Sequence, residues 1–268
     1  MLSDAAVALI ESVFERQNLF ASAPRIRKRI VVWGPNAKPA LLDHSAIAIS
    51  EEQLLKALGN PPAPPNNFAE PDFTIRAAGD LACRKFGSRS ATASPIALQP
   101  EAEPDACKIE SLDSGWLFTI PAGGGKAWLL SVGPPGAGTP AAFPVMPRIA
   151  ESLTGPSWLA CGSAAMAFDP ICGDGTAHAI REAILAAAVI KAIANGGDAA
   201  SLRAHYEARL TAGFARHLAN CLPFYTAAAS GPWWQNEANA LREGLAWCED
   251  RIPPFQYRLN GFDLEPLS

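Results

Sequence analysis

No Gly-x-Gly-x-x-Gly segment occurs in this 268-residue chain, so it does not contain the usual strand–turn–helix cradle for a dinucleotide pyrophosphate. No apolar run reaches membrane-spanning length, and the first residues lack the basic-then-apolar order of a secretory leader. Lysine and arginine cluster only at residues 25–29, and the net charge of −4 argues against a nucleic-acid ligand. That cluster heads an apolar run and reads as a solvated strand end. Charged residues make up 18%, below the usual quarter, which suits a well-buried fold or one that covers surface with a partner. The six cysteines (Cys83, Cys107, Cys161, Cys172, Cys221, Cys248) show no CxxC pair and no metal-ligand spacing. They predict reduced thiols in a cytoplasmic protein, with no metal.

What is present is a chain with 49% hydrophobic residues, long enough for one large domain or two small ones. Ser3 or Asp4 can cap an amphipathic helix carrying Val7, Ile10 and Val13. Arg27 to Trp33 reads as a strand ended by Gly34-Pro35-Asn36, and Ser45 to Ile49 as a second. Ser50 with Gln53 has the spacing of a capping box, and Gly59 closes that helix. Asn60 to Asn67 is a Pro/Asn spacer. Strands are expected over Phe73–Ala78, Ala91–Leu98, Trp116–Ile120 and Ala127–Val132, with an acidic loop at Pro100–Asp113 and a Gly-rich hairpin turn at Gly123–Gly125. Gly133 to Pro147 is Gly/Pro-rich and irregular. Helices follow over Ala177–Ala194, from Asp198 to a kink or stop near Pro223, and over Trp233–Cys248, before a short extended tail.

The stretch from Trp158 to Ala188 organises the rest. A short apolar strand meets a small-residue turn at Gly162-Ser163. A loop through Asp169-Pro170 then leads past Gly173 and Gly175 into an Ala-rich helix. Helix starts carry unpaired N–H groups and a partial positive charge, which suit anions and polarised carbonyls. Glycines there let a flat ligand approach the backbone.

This order of elements resembles the second nucleotide-binding motif of FAD-dependent oxidoreductases with the para-hydroxybenzoate hydroxylase fold. That superfamily includes aromatic hydroxylases and flavin-dependent halogenases. Gly162, Pro170, Gly173 and Gly175 match the motif, while Ser163 stands where the family has the Asp that holds the ribityl chain. The resemblance implies FAD as cofactor, with Gly162, Ser163, Asp169, Pro170, Gly173, Gly175 and Thr176 around it. The segment around Arg84 and Arg89 resembles the family's Asp-Gly and Arg-containing segment, with Ala78 at the Asp position. Those arginines are either anion contacts or solvated surface residues. Trp116-Leu117-Phe118-Thr119-Ile120-Pro121 is similar to a signature of flavin-dependent halogenases. Its Trp116 and Phe118 either line a substrate pocket or pack a half-buried strand. His178 and Arg181 share one side of the Ala-rich helix, where the histidine is a core or rim residue or a base.

The resemblance runs from about Leu2 to Trp247 and implies an α/β (α+β) fold. Its parts are an incomplete FAD-binding Rossmann-like sheet, an antiparallel substrate-domain sheet and a helical C-terminal layer. Expected boundaries are 1–72 with 148–198 for the FAD-binding-like part, 73–147 for the substrate sheet and 199–268 for the helical layer. Two functions are open. One is an FAD-dependent oxidoreductase, monooxygenase or halogenase-like, acting on an aromatic or bulky apolar small molecule, with reduction by pyridine nucleotide or a flavin reductase. The other is a truncated or degenerate homologue that binds a partner without FAD. No residue stands out as the catalytic acid or base.

Overall fold

The computed structural model describes residues 1–59, 72–134, 142–172, 175–228 and 230–267. In chain order they form β1 (Leu2–Ser3), α1 (Asp4–Val13), β2 (Arg25–Val32), β3 (Ala40–Ile47), α2 (Glu51–Leu58), β4 (Thr74–Arg76) and β5 (Cys83–Lys85). Next come β6 (Ser90–Ala97), β7 (Ala106–Leu112), β8 (Gly115–Gly123), β9 (Lys126–Gly133) and β10 (Phe143–Pro144). Then follow β11 (Arg148–Ala150), β12 (Thr154–Gly155), β13 (Trp158–Ala160), α3 (Gly162–Ala165), β14 (Met166–Ala167) and a 3₁₀ turn (Pro170–Cys172). The chain ends with α4 (Gly175–Ala194), α5 (Ala199–Ala227), α6 (Pro232–Glu249), β15 (Tyr257–Asn260) and β16 (Asp263–Pro266). The Asn60–Asn67 spacer and residues 135–141 lie outside the described residues.

Two compact units share these elements. The first comprises Met1–Pro62, Gly87–Met146 and Cys221–Asn239. Its eight-stranded sheet has the order β1-β3-β2-β7-β8-β9-β6-β10 and is antiparallel except where β2 runs parallel to β7. Strand β8 shows why these residues form a half-buried strand. Trp116 and Phe118 are buried while Leu117 and Thr119 are partly exposed, the period-two pattern of a sheet with one covered face. Aromatic residues build the core: Trp116 gives its Nε1–H to Tyr225 Oη at 3.2 Å, and Trp33 packs edge-on to Phe224 and Trp234. The helix ends behave as their sequences require. Ser3 Oγ accepts from the Ala6 amide, and Ser50 and Gln53 form a reciprocal capping box.

The second unit comprises Ala63–Phe86, Pro147–Asn220 and Ala240–Ser268. It holds two three-stranded sheets, β14-β11-β5 and β12-β13-β4, and the β15–β16 hairpin. Strand β13 runs parallel to β4, pairing Leu159 with Ile75, so both strands end on the same side of their sheet. Buried Leu159, Ala160, Ala186, Val189, Leu202, Tyr206 and Phe214 form its core, with Tyr206 Oη donating to the Ala160 carbonyl at 2.6 Å. The molecule is thus a mixed α/β protein with one large mixed sheet, smaller sheets and a helical C-terminal region.

Four expectations are corrected. The acidic loop expected at Pro100–Asp113 contains β7, a central strand whose Ala106, Cys107 and Ile109 are buried while Lys108 and Glu110 face outward. The charges conceal a strand that is apolar on one face only. Strand β3 spans Ala40–Ile47 rather than Ser45–Ile49, with Leu41 and Leu42 exposed. Pro223 does not stop α5: the helix runs four residues further, to Ala227. The extended tail is a hairpin, closed at Gly261.

Candidate functional site

The second unit brings three chain segments together at the turn after β13. The Cys161 amide donates to the Arg76 carbonyl at 2.9 Å, and the Ala164 amide donates to the Ala77 carbonyl at 3.3 Å. The end of β4 is thereby tied to α3. Gly162 takes a left-handed conformation, φ +56°, and a Cβ there would stand 3.3 Å from the Ala77 carbonyl oxygen and 3.9 Å from Ala179 of α4. Only glycine enters such a turn without strain. Ser163 is exposed. Its hydroxyl donates to the Ala77 carbonyl at 3.2 Å, and its own carbonyl accepts from Arg148 Nη2 at 2.9 Å. Ser163 is therefore held through its hydroxyl by a backbone carbonyl and through its own carbonyl by the Arg148 guanidinium.

Asp169 is 1% exposed and turned inward. Its Oδ1 accepts the Ile171 amide at 3.0 Å, capping the 3₁₀ turn that begins at Pro170. Its own N–H donates to His217 Nε2 at 2.8 Å, so that nitrogen carries no proton and serves as acceptor. Phe168 stacks on His178 with ring centroids 4.3 Å apart and meets His217 edge-on at 4.8 Å. Asp169 and Pro170 thus fix the approach to α4, and His178 is engaged with a ring. Gly173 lies outside the described residues. At Gly175, the first residue of α4, an added Cβ would meet nothing within 4 Å among the described residues, and Thr176 beside it is half-buried. This glycine begins a 20-residue helix, and the first turn of a helix carries a partial positive charge.

Glu182, two turns into α4, is the functional-looking group that the sequence did not single out. Its Oε2 accepts the Gly162 amide at 2.7 Å, bracing the turn against the helix. Burial pushes its carboxyl up to about 7, against the smaller lowering effect of that amide bond. The signal was available: Glu182 follows Arg181 in a helix otherwise rich in alanine and isoleucine. His217 and Arg148 were not legible, because they come from segments remote in sequence.

In the first unit, Trp116 is fully buried and Phe118 is 4% exposed, with the Arg29 guanidinium 5.7 Å from the Phe118 ring. Arg89 is buried, not a surface residue, whereas Arg84 in the second unit is exposed and lies 5.9 Å from the Trp247 ring.

No protein-family model matches the chain, and no curated protein matches it in sequence. Solved structures do match. The peptidyl tryptophan dihydroxylase QhpG, essential for tryptophylquinone cofactor biogenesis, superposes over 88% of this chain with a TM-score of 0.71 at 18% identity. CmlS, a flavin-dependent halogenase, covers 91% with a TM-score of 0.67 at 15% identity. PqsL, a probable FAD-dependent monooxygenase from Pseudomonas aeruginosa, covers 93% with a TM-score of 0.59 at 15% identity. The chain spans 69%, 61% and 88% of the respective lengths of these proteins. Among the described residues no helix is long and apolar enough to cross a membrane. The chain has the fold of the FAD-dependent halogenases and monooxygenases.

Proposed function

We propose that the protein is an FAD-dependent oxidoreductase of the monooxygenase or halogenase-like kind, acting on an aromatic or bulky apolar small molecule. The observation that carries this reading is the start of α4. Asp169 caps the turn at Pro170, and at Gly175, where α4 begins, an added Cβ would meet nothing within 4 Å among the described residues. The residues present there fit the edge of an isoalloxazine, since a planar ligand needs backbone amides with no side chain over them. FAD, when bound, supplies the redox chemistry. The α4 amides would stabilise negative charge on the bound flavin, Thr176 and the Gly162-Ser163 turn would border it, and Asp169 holds the loop in place. The sheet face carrying Trp116 and Phe118 backs the substrate pocket, their buried rings keeping it dry. Electrons arrive from a pyridine nucleotide or a separate flavin reductase.

A second reading is supported by Ser163 and Ala78, which stand at the two Asp positions of the family, with the Ser163 hydroxyl already committed to Ala77. It makes the protein a flavin-free binding partner. Purified protein mixed with FAD, desalted and scanned in the visible range decides between them. A near-stoichiometric flavin band that disappears in Gly175→Val, with cooperative unfolding retained, supports the enzyme. Colourless protein that retains no FAD supports the binding partner. Undiminished flavin in Gly175→Val removes the ring from α4.

A further inference from the structure

Within the second unit, α4, α5 and the C-terminal hairpin enclose a cavity of about 270 Å³ that no part of the flavin reading uses. Its walls include none of Gly162, Ser163, Pro170, Gly175 or Thr176. Two observations mark it as a built site. First, Glu182 forms part of its lining while being only 6% exposed. One carboxylate oxygen is satisfied by the Gly162 amide, but Oε1 is buried and has no hydrogen-bond partner among the described residues. An unsatisfied buried acceptor is costly, so such a group normally meets a donor. Second, three guanidinium groups belong to the same lining: Arg181 on α4, and Arg209 and Arg216 on α5. All three are exposed, and Arg209 is steadied over the Phe255 ring at 4.7 Å. The same lining includes Met166, Leu185 and Leu210, all buried.

We propose that this cavity binds a small amphoteric molecule, its carboxylate held by the arginines at the solvent side and an amine or hydroxyl at its other end donating to Glu182 Oε1. The chemistry follows from the lining. Arginine forks match carboxylates bidentately and are always charged. The apolar part of the lining takes a ring or short hydrocarbon, as most small-molecule sites do. The raised Glu182 carboxyl leaves a mixture of acid and carboxylate near neutrality. An ammonium donor draws it to the carboxylate, the form that accepts two bonds. The order of the groups matters: a plain carboxylate satisfies the arginines and leaves Glu182 bare, and a plain amine does the reverse.

Titration calorimetry at pH 7 with para-(aminomethyl)benzoate, benzoate and benzylamine separates these contributions. The first should bind at one site per chain, and each of the others about tenfold or more weakly, since each loses one charge-assisted contact. Arg216→Ala, an exposed change that leaves the fold intact, should weaken para-(aminomethyl)benzoate and benzoate but not benzylamine. Glu182→Gln should bring para-(aminomethyl)benzoate down to the affinity of benzoate. Saturation of all three ligands with equal affinity, or no binding of para-(aminomethyl)benzoate at millimolar concentration, overturns the proposal. These readouts need no flavin, so they are independent of the oxidoreductase reading.

Discussion

Arg89 Nε stands 3.1 Å from Glu237 Oε2, and the two side chains are 0% and 2% exposed. Ser88 adds its amide and hydroxyl to the other carboxylate oxygen at 3.0 and 2.8 Å, and the guanidinium lies over the Tyr225 ring at 4.4 Å. A charge buried this deeply depends on its partner. Glu237→Ala should cost about 3–5 kcal/mol, because it strands the guanidinium, while replacing both members with apolar residues of similar volume should recover most of that loss. Urea unfolding of the single and double variants measures both. A single variant within 1 kcal/mol of the parent, roughly the worth of an exposed pair, would mean that water reaches this site.

Glu182 makes stability depend on pH in the direction opposite to most acids. Its carboxyl sits at about 7 in the folded chain against an ordinary 4.5, so the folded state holds the proton more tightly. Its contribution is fully present at acid pH and is lost as pH rises through that interval, to a total of about 3 kcal/mol by the linkage relation. Glu182→Gln should flatten this part of the profile and be more stable than the parent at pH 8. Melting temperatures from pH 5 to 8 check it. Parallel profiles for the two proteins would place the carboxyl in water.

The left-handed Gly162 gives a third expectation. Gly162→Ala forces a side chain into φ +56° with its Cβ 3.3 Å from the Ala77 carbonyl. A cost of about 1–2 kcal/mol follows from the left-handed conformation alone. Ser163→Ala, which removes only a half-satisfied exposed hydroxyl, should change stability by less than about 0.5 kcal/mol. Equal effects of the two changes, by chemical denaturation, would contradict the geometry of the turn.

Thiol reactivity offers a fourth. Burial pushes Cys161 and Cys248 up to about 11, with Glu182 adding to the shift of the first. Thiolates are the reactive form, so neither should be alkylated by iodoacetamide at pH 8 in the native protein. Half-buried Cys83 and Cys172 should be labelled first. Peptide mapping by mass spectrometry reads the order.

Local chemistry made much of this molecule legible. Ser50 with Gln53, Asp198 before α5, and the glycines between β8 and β9 each announced a cap or a turn through short-range hydrogen bonding or backbone freedom. The same logic exposed the turn at Gly162 and the helix start behind Pro170. What escaped was assembled over distance. Lys108 and Glu110 hid a central strand whose inner face is apolar. The partnership of β2 with β7 joins Lys28 to Ala106, and no local pattern encodes it. Glu182, His217 and Arg148 gained their roles only when the fold carried them to Gly162, Asp169 and Ser163. The stop expected as one outcome at Pro223 fails for another reason: tertiary packing overrides the helix-breaking tendency of one residue.

The parallel pairing of β2 with β7 sets a timetable for synthesis. When β2 leaves the ribosome it can form a ribbon with β3, but its other edge waits until residues 106–110 have been made. Trp33 waits longer still, since its ring neighbours Phe224 and Trp234 come near the end of the chain. Nascent protein halted before Pro232 therefore carries an indole without its full lid, and such intermediates are the ones a chaperone would hold.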